Sequence, residues 1–246
     1  MKRIDAKGMY YRELNDLVRQ AVAAGETELI LDNVNGQRYI GDGISAKAKI
    51  VVNGTPGNDM AAYMDGPELI INANAQDALA NTMNDGKIVV HGSAGDTVGY
   101  AMRGGQIFIK GNVGYRVGIH MKEYEHKVPV IVAGGKAGDF FGEYMAGGVL
   151  VLLGLGLADG EEITGNYCGT GMHNGVMYVR GEIAEHKLGK EVKVVELDAD
   201  DKRKVQALVE EFCTYFGYDP AAILAAKFNK LIAYNKRPYG NLYCAY

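Results

Sequence analysis

Short apolar triplets recur along the middle of the chain, each set among glycines and small polar residues: Leu69-Ile70-Ile71, Ile88-Val89-Val90, Ile107-Phe108-Ile109, Val130-Ile131-Val132, Leu150-Val151-Leu152 and Met177-Tyr178-Val179. Their β-branched and bulky content predicts short strands. Methionine marks the interval between them. Met64, Met83, Met102 and Met121 follow one another at 19 residues, and Met145 and Met172 come after 24 and 27. Glycines fall into columns around these methionines. Ten positions before stand Gly54, Gly92, Gly111 and Gly135; seven before, Gly57, Gly95, Gly114, Gly138 and Gly165; three after, Gly86, Gly105, Gly148 and Gly175. The two longer intervals place insertions at Glu123 to Lys127 and at Leu157 to Ile163. A fainter unit, Arg38 to Gly43 leading into Ile44, precedes the rest and brings the count to seven.

A 19-residue unit is too short for a helix pair, so each unit predicts one coil of a β-solenoid, its strand pairing in parallel with the next copy about 4.8 Å away. Glycines are expected at the corners, where positive φ is needed. The methionines, with Met60, Leu79, Val98, Val117, Phe141 and Cys168 four positions before them, are expected to stack inward. An Asx column (Asn58, Asp77, Asp96, Asp139, Asn166) follows a glycine in each coil and reads as turn chemistry. Alternation points the first and third residue of each triplet inward. The middle residues Ile70, Val89, Phe108, Ile131, Val151 and Tyr178 should then face outward, although they are apolar. This outer ladder needs a cover, either the chain's own helices or a partner subunit, and is the candidate interface.

Helices are predicted at both ends. Residues 9–24 align Leu14, Leu17, Val18, Ala21 and Val22 on one face, with Gly25 as a stop. Val205, Leu208, Val209, Phe212 and Phe216 form another face ending at Gly217, and Asp219-Pro220 opens a further helix expected to carry Ile223, Leu224, Phe228 and Leu231. The expected organisation is an all-β core with flanking α-helices: an N-terminal helix and cap over 1–35, the β-helix over 36–197, and a C-terminal helical segment over 198–246.

Composition narrows the function. Glycine supplies 34 of the 246 residues, about twice the usual share. The net charge of -4 and pI of about 5.8 oppose nucleic acid as the main partner. Neither a signal-peptide h-region nor an apolar run of membrane-spanning length is present, so no membrane association and a cytoplasmic location are expected. Cys168, Cys213 and Cys244 lack paired metal spacing and read as reduced thiols. There is no Walker A loop, no strand-linked G-x-G-x-x-G and no G-x-S-x-G elbow. The five histidines share no metal spacing, although His120 and His173 flank the methionine column. Asp77 and Asp96, one coil apart, come closest to a catalytic carboxylate pair. No catalytic, cofactor-binding or metal-ligating residue is assigned.

The block Gly142-Glu143-Tyr144-Met145-Ala146-Gly147-Gly148, continued through Val149 to Gly154, closely resembles the C-terminal G-x-G-x-G domain of the glutamate synthase large subunit. The stretch from Asn166 through Gly171, Met172 and Gly175 to Val179 continues the resemblance, which covers roughly residues 36–181 and is most specific from Gly138 onward. It implies a right-handed single-stranded β-helix of about seven turns that packs between catalytic domains as a spacer. It further implies partners: a glutamine amidotransferase subunit and a synthase subunit carrying FMN and an iron-sulfur cluster, neither cofactor being expected in this chain. The family's nucleophilic cysteine has no counterpart, since Lys2 occupies position 2. The chain is also similar to the formylmethanofuran dehydrogenase subunit that carries the same repeat, again a scaffold beside catalytic subunits. Two departures from the pattern alter the last coil's surface, the longer Leu157 to Ile163 loop and Asn174 in place of glycine. A stand-alone β-helix enzyme or binding protein, and a homo-oligomer built on the outer ladder, are the remaining alternatives.

Overall fold

The computed structural model describes residues 1–234 and is a parallel β-solenoid. Its strands form one sheet in near-sequential order. They are β1 (Lys2–Asp5), β2 (Glu28–Asn35), β3 (Lys49–Thr55), β4 (Asp65–Ile71), β5 (Asp85–Val90), β6 (Gln106–Ile109), β7 (Val130–Ala133), β8 (Ala146–Leu152) and β9 (Asn174–Arg180). All of these pair in parallel with their neighbours. β3 to β9 each follow a corner residue of the repeat, Ile44 and then the six methionines. The sheet itself starts earlier, at β1 and β2, ahead of the expected boundary at residue 36.

The interior follows from the columns. Met64, Met83, Met102, Met121, Met145 and Met172 are all fully buried, as are their partners from Met60 to Cys168. A glycine three places after four of the methionines, at Gly86, Gly105, Gly148 and Gly175, makes room for the methionine of the coil before. A Cβ at Gly105 would lie 2.5 Å from Met83 Cε, at Gly148 2.8 Å from Met121 Cε, and at Gly175 2.6 Å from Met145 Cε. Methionine and glycine are thus one packing device, a flexible thioether filling the space that a missing side chain leaves.

The corners differ from expectation in two respects. Positive φ is shared between glycines and non-glycine residues, the latter including Tyr63, Thr82, Ala101, His120 and Tyr144 immediately before successive methionines. The strain this implies is offset by coil-to-coil hydrogen bonds such as His120 N–H to Glu143 O (3.2 Å) and Tyr144 N–H to Thr170 O (2.8 Å). The Asx column does not serve local turns either. Asp77 Oδ1 accepts from Asp96 N–H (2.8 Å), Asp96 Oδ1 from Tyr115 N–H (2.8 Å), and Asp139 Oδ1 from Asn166 N–H (2.7 Å), all in the following coil. The glycine just before each donor admits that carboxylate: a Cβ at Gly95, next to Asp96, would sit 2.0 Å from Asp77 Oδ1.

Helix α1 (Tyr11–Ala23) plugs the N-terminal end of the solenoid, its Leu14, Val18 and Ala21 joining the interior core. Helix α2 (Ala199–Phe216) lies on the outer face of the sheet. It starts at Asp198, whose carboxylate accepts from the N–H groups of Asp200 and Asp201 while Asp201 reciprocates, and stops at left-handed Gly217. The expected further helix is short, α3 (Pro220–Leu224). Phe228 and Leu231 belong instead to a strand, β11 (Phe228–Ala233), paired antiparallel to β9 and to β10 (Val192–Val195). An open parallel edge leaves a row of unpaired backbone groups, and β11 satisfies them on β9; that requirement overrides the helical spacing. Cys244 lies outside the described residues.

Candidate partner-binding surface

The outward column of the sheet runs in register as Arg3, Ile30, Val51, Ile70, Val89, Phe108, Val132, Val151, Tyr178 and Lys230. Ile131 is not part of it. It pairs with Ile107 and packs in the interior, because the residues that match Ile107-Phe108-Ile109 are Ile131-Val132-Ala133, one place later than the triplet Val130-Ile131-Val132 suggests. Val132 takes the outward place. From Phe108 to Tyr178 the column is closed off by α2, with Phe108 against Tyr215 (5.2 Å between centroids) and with Val205, Leu208, Val209 and Phe212 in the same cluster. Gly134 has no side chain where Phe212 enters, 2.7 Å from an ideal Cβ. Val89 is buried as well, whereas Ile30, Val51 and Ile70 are only half-buried. The candidate interface is therefore divided. Phe108, Val151 and Tyr178 sit under the chain's own helix, and Ile70 remains partly open.

A buried polar knot fastens α2. The Tyr178 hydroxyl donates to Asp201 Oδ1 (2.6 Å), and Lys230 Nζ donates to Asp201 Oδ2 (2.6 Å). Burial alone would raise the Asp201 carboxyl, but these two bonds and the Asp198 N–H hold it down at about 2. Burial and the neighbouring carboxylate push the Tyr178 hydroxyl far up, so it stays a donor.

The motif residues from Gly138 to Gly175 do architectural work. Met145 and Met172 fill the interior. Gly142 (φ 71°) faces Met177 Sδ, 2.5 Å from an ideal Cβ, and Gly171 faces the Tyr144 ring at 2.3 Å. Gly147 backs onto Glu123, Gly154 onto Ile163, and Gly138 onto the Gly114 backbone. Glu143 is buried and ion-paired with Arg116 (2.9 Å), and Asn166 bonds Asp139 and accepts from Lys187 (3.2 Å). Asp77 and Asp96 are held by coil-to-coil bonds. Burial pushes the Cys168 thiol up to about 12, which keeps it protonated and unreactive.

Sequence reasoning missed two features. Burial, with Asp59 nearby and opposed by the Ala62 N–H, pushes the Asp42 carboxyl up to about 7; nothing in its spacing marks it. The other is an aromatic and basic corner between coils. His120 stacks on Tyr144 (5.4 Å, 8°), and Tyr100 meets His120 edge-on (5.9 Å). His120 and His173, noted for flanking the methionine column, share a cleft of about 560 Å³ there with Lys122, Tyr144, Ala146 and Asn174. Among the described residues no three His, Cys, Asp or Glu side chains come together as metal ligands.

The family model for the GXGXG motif matches residues 21–236. The chain belongs to the GXGXG motif family. A relative of this GXGXG chain, "Uncharacterized protein MJ1350" of Methanocaldococcus jannaschii, is 44% identical over 248 residues, which cover 98% of this chain and 95% of the relative. The fold of this GXGXG chain is also similar to a chain of the Methylorubrum extorquens formyltransferase/hydrolase complex solved with methylofuran. The TM-score is 0.64 at 20% identity, covering 93% of this chain and 90% of that one. No helix among the described residues is long and apolar enough to cross a membrane.

Proposed function

We propose that the chain is a non-catalytic structural subunit that holds other subunits in register along its solenoid. The observation that carries this reading is the commitment of the polar columns to the fold. Asp77, Asp96, Asp139 and Asn166 are spent on coil-to-coil hydrogen bonds, and Cys168 is an inert buried thiol, so four of the five residues of the Asx column already have structural partners. The motif from Gly142 to Gly148 favours a glutamate synthase-type assembly in the cytoplasm. Its partners would be a glutamine amidotransferase and a synthase subunit carrying FMN and the iron-sulfur cluster. A second reading, a scaffold in a formyl-transferring complex of the formylmethanofuran type, draws on the fold likeness to the Methylorubrum extorquens complex.

Native purification through a tag on this chain at moderate salt tests both. Recovery of an amidotransferase together with a flavin- and iron-containing protein supports the first reading, and recovery of formyltransferase or hydrolase subunits supports the second. Recovery of the chain alone overturns both.

A further inference from the structure

We infer that the corner cleft holding His120, Lys122, Tyr144 and His173 is a docking site for an Asp/Glu-rich segment of a partner protein, an inference that rests on the subunit reading. The cleft is built by the repeat. Lys122, Ala146 and His173 each follow a methionine, and the backbone N–H of each donates to the methionine carbonyl of the coil before, Met102, Met121 and Met145 respectively. Arg103 holds the equivalent place one coil earlier, donating to Met83 O (2.8 Å). These positions therefore stack at the coil repeat of about 4.8 Å. Ala146 leaves a gap between the lysine and the imidazole, and the stacked His120–Tyr144 pair forms a preset aromatic wall beside it.

The lining offers an ammonium, two imidazoles, a phenol and a carboxamide, and contains no carboxylate. The nearby acids are already used: Glu143 pairs with Arg116 (2.9 Å), and Glu123 Oε1 accepts from Gly148 N–H (3.0 Å). Among the described residues neither Arg103 nor Lys122 forms an ion pair. A donor-lined cleft on a chain of net charge -4 is a local reversal of sign, and complementarity selects an acidic occupant. The ring wall suits the apolar stems of glutamate side chains.

The test is histidine-ring NMR of the full chain at low salt, titrated with a synthetic acetyl-(Asp-Glu)4-amide peptide and, separately, with inorganic phosphate. The expected result is saturable shifts of the His120 and His173 rings with the peptide, leaving His91 and His186 in place. Affinity should fall at least tenfold in Lys122→Glu, whose melting temperature stays that of the parent, and again at about 0.3 M salt. Silent rings, or equal shifts of all the histidines, overturn the inference. So does phosphate binding as tightly as the peptide, which would make the cleft a small-anion site. The two readings fail separately. Partners recovered with silent rings remove the docking site alone, and ring shifts with the chain purified alone remove the assembly alone.

Discussion

One outward column of the sheet has two fates. From Phe108 to Tyr178 it is dry, covered by α2 and fastened by the Tyr178–Asp201–Lys230 knot, while at Ile30, Val51 and Ile70 the same strands in the same register stay half-exposed. The coil is nearly constant along the solenoid; the helix laid upon it is not. The two aromatic residues of the column, Phe108 and Tyr178, both lie beneath α2, at either end of the covered stretch that also holds Val132 and Val151. An apolar outward residue in a solenoid thus becomes core or surface according to what the rest of the chain brings to it.

The largest effect is expected at the seam. Phe212→Ala removes the ring that enters at Gly134 and should cost about 3–5 kcal/mol in urea unfolding, since the cavity cannot collapse against a rigid sheet. Next comes Asp201→Ala, which leaves the Tyr178 hydroxyl and Lys230 without their acceptor and should cost about 3 kcal/mol at neutral pH. Its sign with pH is fixed. A carboxyl held at about 2, against an ordinary value near 3.9, contributes its full stability above about pH 4 and loses it as pH falls through 2. Thermal melts of the parent should lose stability over that interval, and Asp201→Ala should lack that loss.

The N-terminal region predicts the opposite pH behaviour. Asp42, raised to about 7, contributes most below about pH 4 and becomes a desolvated charge as pH rises through 7. Asp42→Asn, which keeps an acceptor for the Ala62 N–H, should match the parent at pH 4. At pH 8 it should be more stable by about 1 kcal/mol, a figure discounted because the group is partly solvated. The smallest effect belongs to the uncovered strands: Ile70→Ser should change the unfolding free energy by less than about 1 kcal/mol. A loss at Ile70 equal to that at Phe212 would erase the distinction between the two halves.

The solenoid was legible because its constraint repeats. Four methionines need the glycine of the following coil, so Met83 with Gly105 and Met145 with Gly175 write the same pair into the sequence repeatedly. Features that occur once carry no such signal. Ile131 was misplaced because Val130-Ile131-Val132 is apolar at every position, and only its pairing with Ile107 fixes the phase. Phe228 and Leu231 fit a helical face, yet the open edge of β9 makes them a strand. The Asx column was visible, but its partners lie one coil away, and spacing cannot tell a turn bond from a coil-to-coil bond. The corner cleft was half legible: His120 and His173 stood out beside the methionines, while the gap at Ala146 and the stacking on Tyr144 arise only when coils are superposed.

The proposed role, holding other subunits together without taking part in chemistry, can be tested by deleting the chain from its native host and asking, by native mass spectrometry, whether the subunits that co-purify with it still associate with one another. A scaffold's loss should separate them, and adding back the folded chain should restore the assembly. An intact assembly of those subunits that has lost only its turnover would contradict that role.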